Sequence, residues 1–180
     1  MSLIISITSL IISLLTFWLT RIKKGEIKMT RPSMICLLGQ NGGDGPKIFI
    51  RTLLYSTSER GQYIQNIFIR LHHVEEIQTF SFWSHGEKNS LTKGSGLFIN
   101  KSGVVTNHHF LLSKNKKQNF ISGDYKLEVQ VESINKSAKK IFEQNLTLNE
   151  DQLNDLQNNK AVFYEWDPDI IQYFSYILQN

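Results

Sequence analysis

The 19 residues from Ser2 to Thr20 carry no charge: twelve are Leu, Ile, Phe or Trp, and the other seven are Ser or Thr. At about 1.5 Å of rise per residue such a run makes a helix of roughly 28 Å, close to the hydrocarbon thickness of a bilayer. The hydroxyls can bond back to the helix's own carbonyls, and Trp18 stands where an amphipathic ring prefers the membrane interface. A secretory signal carries its cations ahead of the apolar run and small residues at a cleavage site. Here the cations follow the run and no A-x-A-like site occurs. A core helix of this length would show a charged face. The sequence therefore predicts a single transmembrane helix over residues 1–20.

The chain's 20 Lys and Arg against 16 Asp and Glu look at first like a nucleic-acid signal. Placed along the chain they are not one. Arg21, Lys23, Lys24, Lys28 and Arg31 face the single acid Glu26 in residues 21–31, leaving 15 charges of each sign over residues 32–180. A phosphate-tracking groove needs its excess on the folded domain, so no nucleic-acid partner is expected. Cations on the C-terminal flank of a span predict that this flank stays in the cytoplasm, and the same five can lie on anionic lipid headgroups. The bilayer is thus one expected partner, and the expected location is a single-pass cell-membrane protein with its domain cytoplasmic. A lone cysteine, Cys36, excludes an internal disulfide and suits a reducing compartment.

Beyond the basic flank, Lys28 to Leu38 reads as a leading segment with apolar Met29, Met34, Ile35, Leu37 and Leu38. The Gly-rich stretch 39–46 reads as a loop. A P-loop would need Lys after the last Gly and a helix to follow, whereas Gly45 precedes Pro46 and a β-like run. Seven such runs are predicted, at 47–56, 62–74, 77–84, 91–99, 104–112, 125–134 and 140–148. In 125–132 every odd position is apolar or aromatic and every even one polar, the period of a strand with one buried face. Gly123-Asp124-Tyr125, with Leu127 two residues on, resembles the tyrosine corner of immunoglobulin-like sandwiches. A capping box, Asn149 with Gln152, predicts one short helix, and 161–166 reads as a last strand before the turn at Asp167-Pro168-Asp169. The expected fold is mainly β: a transmembrane helix (1–20), a basic flank (21–31), an immunoglobulin-like antiparallel β-sandwich (32–148), then a short helix, final strand and tail (149–180).

The chemistry-bearing residues are few. Gly94-Ser95-Gly96-Leu97-Phe98-Ile99 and Gly103-Val104-Val105-Thr106-Asn107-His108-His109 resemble the stretch around the catalytic histidine of trypsin-like bacterial serine proteases, which would make His109 a general base. That reaction also needs an orienting Asp and a Ser nucleophile beside oxyanion donors. No Gly-Asp-Ser-Gly occurs among the 71 residues after His109, so the likeness is read as coincidental and no catalytic residue is assigned. His72-His73, His85 and His108-His109 raise the question of a metal. Neighbours on a strand point to opposite faces, so neither pair chelates alone, and no ligand spacing is present. Neither metal nor cofactor is expected. Ser58, Glu59 and Arg60 in the loop 56–61, and Tyr164 and Trp166 in the tail, are the candidate contacts for a protein partner.

The run 45–61 (Gly-Pro-Lys-Ile-Phe-Ile-Arg-Thr-Leu-Leu-Tyr-Ser-Thr-Ser-Glu-Arg-Gly), with Gly94-Ser95-Gly96-Leu97-Phe98 and Asn107-His108-His109-Phe110-Leu111, resembles a group of small bacterial proteins of unassigned function. These join an N-terminal membrane helix to a β-rich domain. The resemblance spans most of 25–135 and implies an architecture without a mechanism. The expected function is a membrane-anchored binding or scaffolding module without catalysis. The alternatives are a degenerate trypsin-like hydrolase using His109 or His108, and an outward-facing envelope adhesion or sensor domain.

Overall fold

The computed structural model describes residues 2–22, 25–40, 45–86, 90–94, 96–112 and 119–177. Lys23 and Lys24 of the basic flank, and residues 41–44 of the Gly-rich loop, lie outside the described residues. The apolar run is helical: α1 (Ser2–Phe17) continues as one π-helical turn, Trp18–Ile22. Together, Ser2–Ile22 is long and apolar enough to cross a membrane, and none of it is buried against the domain. Its hydroxyls turn back as anticipated, Ser6 to the Ser2 carbonyl (3.0 Å), Thr16 to Ile12 (2.8 Å) and Thr20 to Thr16 (2.7 Å). The outer surface thereby stays apolar, which supports a single-pass cell-membrane protein.

The strands are β1 (Ile27–Met29), β2 (Met34–Leu38), β3 (Lys47–Ser56), β4 (Gln62–His73), β5 (Glu76–His85), β6 (Thr92–Lys93), β7 (Leu97–Ile99), β8 (Val104–Leu112), β9 (Gly123–Ser133), β10 (Lys139–Leu148), β11 (Ala161–Asp167) and β12 (Gln172–Ile177), with α2 (Glu150–Gln157) between β10 and β11. Two of the predicted strands, 47–56 and 104–112, match residue for residue. The predicted run 91–99 divides into β6 and β7, because Gly94 and Gly96 take φ of +109° and +99°, where the chain cannot stay extended. The leading segment supplies β1 and β2, both on the same side of β3: Lys28 pairs with Tyr55 and Met34 with Arg51. β12 was not anticipated.

All twelve strands belong to one hydrogen-bonded antiparallel sheet, in the order β10-β9-β4-β5-β8-β3-β2-β11-β12, with β1 on β3, β6 on β5 and β7 on β4. The domain is therefore mainly β and antiparallel as predicted, but it is a single sheet rolled into a near-barrel. The link that makes it one sheet is β5 to β8, from Phe80 opposite Leu112 to His85 opposite His108. Side chains tie the two ends of the sheet: Lys139 Nζ of β10 reaches Glu26 Oε1 just ahead of β1 (2.7 Å), the Tyr164 hydroxyl of β11 donates to the Thr147 carbonyl of β10 (2.9 Å), and Gln152 Nε2 of α2 donates to Ser175 Oγ of β12 (2.6 Å). Full closure abolishes sheet edges. Here side chains close the gap.

One core fills the roll. Ile48, Ile50 and Leu54 of β3, Ile67, Ile69 and Leu71 of β4, Phe80, Phe110, and Tyr125, Leu127, Val129 and Val131 of β9 all lie in it. Each side chain of this size contributes roughly 1.5–3 kcal/mol on burial. The Tyr125 corner forms: its hydroxyl donates to the Ile121 carbonyl (2.7 Å) and accepts from the Ile121 N–H (2.8 Å). The capping box of α2 also forms, with both Asn149–Gln152 hydrogen bonds present.

Candidate functional site

The histidines are placed by an irregularity in β5. Phe82 faces Phe110, but the register then shifts so that Ser84 faces His109 and His85 faces His108. Trp83 is the extra residue. A bulge of this kind re-aims the side chains beyond it. It turns His85 to the same side as His108, within the roll beside Phe82, whose ring lies 6.1 Å from His85 and 6.2 Å from His108. His108 is 1% exposed and neither ring nitrogen has a hydrogen-bond partner; Ser84 Oγ and His85 Nδ1 are likewise buried without one. Burial, and then the neighbouring His85 and His109, push the His108 imidazole down to about 4, so at neutral pH it is uncharged.

His109 points the other way, as adjacent strand positions must. Its ring packs edge-on against Phe49 (4.5 Å) and Trp83 (6.5 Å). Its Nε2 lies 3.1 Å from the Gly86 carbonyl oxygen. A carbonyl only accepts, so that nitrogen carries the proton and donates. In a serine-protease triad the same atom must be free to take a proton from the serine. His72 and His73 sit elsewhere. His73 stacks on Tyr125 (4.6 Å), and His72 Nε2 lies 3.4 Å from Glu128. Among the described residues no group of three or more His, Cys, Asp or Glu is gathered to hold a metal.

Glu128 stands on the polar face of the alternating strand β9. It is 8% exposed. Lys126 Nζ (3.2 Å) and Lys140 Nζ (3.4 Å) close over one carboxylate oxygen; His72 and Gln130 Nε2 (3.1 Å) approach the other. Burial alone would raise this carboxyl, but the Lys126, Lys140 and His72 charges outweigh it and hold it at about 2. The only sequence signal was a cation two residues away on the same face. Lys140 comes from β10 on one side of β9 and His72 from β4 on the other.

The loop 56–61 is a built turn. Ser58 Oγ donates to the Arg60 carbonyl (2.8 Å) and Ser56 Oγ does the same (3.2 Å). Thr57 and Glu26 exchange backbone and side-chain hydrogen bonds (3.0 and 2.8 Å). Glu59 pairs with Lys101 of the β7–β8 turn. Arg60 reaches out of the domain: its Nη1 donates to the Arg21 carbonyl oxygen at the end of the apolar helix (2.8 Å). Of the candidate contacts, Ser58, Glu59 and Arg60 thus gather beside Arg21, the first cation after the span.

The other candidates lie apart. Tyr164 is 3% exposed with its hydroxyl held by Thr147, so it is a core residue and offers a partner no surface. Trp166 is half-buried, with the Arg31 guanidinium 3.6 Å above its ring and Tyr173 edge-on to it at 5.3 Å. Arg31 therefore spends its face on an indole, a cation–π contact, while Lys28 is exposed on β1. No family model, no curated protein and no solved structure matches the chain.

Proposed function

We propose that the protein is a single-pass membrane protein whose near-barrel domain serves at the cytoplasmic face as a binding or scaffolding module, without catalysis of its own. The observation that carries this reading is the 21-residue apolar helix, unburied along its whole length and fastened to the domain by Arg60. The architecture is in keeping with the small bacterial proteins that the sequence resembles. An immunoglobulin-like kinship would rest on the Tyr125 corner alone; the continuity of β5 with β8 favours a rolled near-barrel.

The hydrolase alternative asks His109 Nε2 to act as a base while it donates to Gly86, and asks His108 to reach a substrate from 1% exposure. Both requirements weigh against it. The test is made in native membranes. Reporters fused at the C-terminus, one active only in the cytoplasm and one only outside, should score for the cytoplasm. Cross-linking of the full chain should capture a defined protein that a chain carrying the helix alone does not. An external domain would transfer the reading to an envelope adhesion or sensor module, and an empty capture would remove the binding role.

A further inference from the structure

Three of the domain's exposed apolar side chains gather at one end beside the membrane helix. Tyr63 (59% exposed), Phe98 (50%) and Ile134 (54%) belong to one end of the near-barrel, where β3 turns into β4 and β9 into β10. Tyr63 and Phe98 are cross-strand partners with ring centroids 4.8 Å apart. The tip of the Phe98 ring lies against Gly61, so close that a Cβ there would come within 2.1 Å of it. Ile134 sits beside them across a shallow groove of about 300 Å³, whose other walls include Ser58, Arg60 and Lys136.

Arg60 connects this end to the membrane. It lines a second crevice with Thr20, Arg21 and Glu59, and its bond to the Arg21 carbonyl fixes the rim at the level of the first charge after the span. That charge marks the interface, since a cation is expelled from hydrocarbon and is welcome among headgroups. Tyr63 is three residues from Arg60, roughly 10 Å along an extended chain. An aromatic pair with a wet hydroxyl, an isoleucine, and flanking Arg and Lys side chains is the composition suited to that layer.

We infer that the β3–β4 end of the near-barrel lies in the headgroup layer of the leaflet that α1 leaves, with Tyr63, Phe98 and Ile134 seated among the lipids and Arg60 and Lys136 on their phosphates. The inference rests on the membrane-anchored reading and adds to it an orientation and a lipid-binding surface. The occupant is the bilayer, because the same rim is bonded to the membrane helix and carries cations complementary to anionic phosphates.

The test uses the full chain reconstituted in vesicles of phosphatidylcholine and phosphatidylglycerol in equal parts. Single cysteines at Phe98→Cys, Ile134→Cys, Leu10→Cys and Val74→Cys carry an environment-sensitive fluorophore. Cys36 is 2% exposed with its thiol pushed up to about 12 and stays unlabelled in the folded chain. Val74 is the aqueous reference, exposed in the turn at the far end of β4. Labels at 98 and 134 should shift to the blue and be quenched severalfold more than the label at 74 by lipids bearing a nitroxide on the headgroup. In phosphatidylcholine alone that quenching should weaken at 134, beside Lys136. Labels at 98 and 134 that behave like 74, while the label at Leu10 is quenched from the acyl chains, would overturn the inference and leave the anchor standing. A label at Leu10 that stays in water would remove the anchor and the inference together. Labels shielded from water but not quenched by lipid would assign the rim to a second copy of the chain and likewise overturn it.

Discussion

His108 couples the fold to pH through a ring that has nothing to hydrogen-bond. Its folded value of about 4 lies below the ordinary 6.5, so between those values the unfolded chain binds more protons than the folded one. Stability should be level above about pH 6.5, fall as the pH drops towards about 4, and level off there, a loss on the order of 3 kcal/mol. Urea midpoints across this window should show the slope, and His108→Phe should flatten it. Glu128, held at about 2 against 4.5, acts in a separate window: its contribution is present above about pH 4.5 and is lost as the pH falls towards 2. The His108 variant should leave that lower limb intact. At Tyr125 the hydroxyl serves both Ile121 backbone groups, and Tyr125→Phe should cost about 1–3 kcal/mol in chemical denaturation by stranding them. This corner was legible in Gly123-Asp124-Tyr125 because it is local. The company of Glu128 was not, because register, and not sequence distance, brings Lys140 and His72 over it.

Elements declared themselves in the sequence where their signals were short-range. The capping box announced α2, and both reciprocal bonds are present. Asn149→Ala should cost about 1 kcal/mol. What holds α2 against the sheet was invisible. Gly39, just past β2, lies so close beneath the helix that a Cβ would stand 2.1 Å from the Leu156 carbonyl oxygen. Because that obstacle is backbone, Gly39→Ala should lift the helix, costing about 1–3 kcal/mol as overpacking does. Hydrogen exchange should rise first in residues 150–157. β12 escaped prediction for a related reason. Tyr173, Phe174 and Tyr176 give Gln172–Ile177 aromatic side chains on both faces, so no alternation marks it, and only pairing with β11 makes it a strand. The split of 91–99 was written in Gly94 and Gly96, but two glycines two positions apart read equally well as a loosely packed stretch within one strand.

At the scale of the whole molecule, alternation predicted which faces are buried but could not count sheets. An inward-facing period of two is common to a sandwich and to a roll. The deciding ladder, β5 on β8, passes through a bulge at Trp83 that shifts the register by one. The helix, by contrast, was legible to within two residues of its end, since an uninterrupted apolar run of that length carries its own signal, although its closing π-helical turn was not. The contact between Arg60 and Arg21 then limits what such a module can reach. Only four residues separate Ile22 from Ile27, at most roughly 18 Å of extended chain over the five steps, and β4 rises 12 residues, roughly 40 Å. On the proposed membrane-anchored binding reading, whatever the domain grips must come within a few tens of ångströms of the bilayer. A partner sharing the same membrane would meet it at an effective concentration far above its cellular average, so contacts too weak to survive in free solution would be enough to hold the pair.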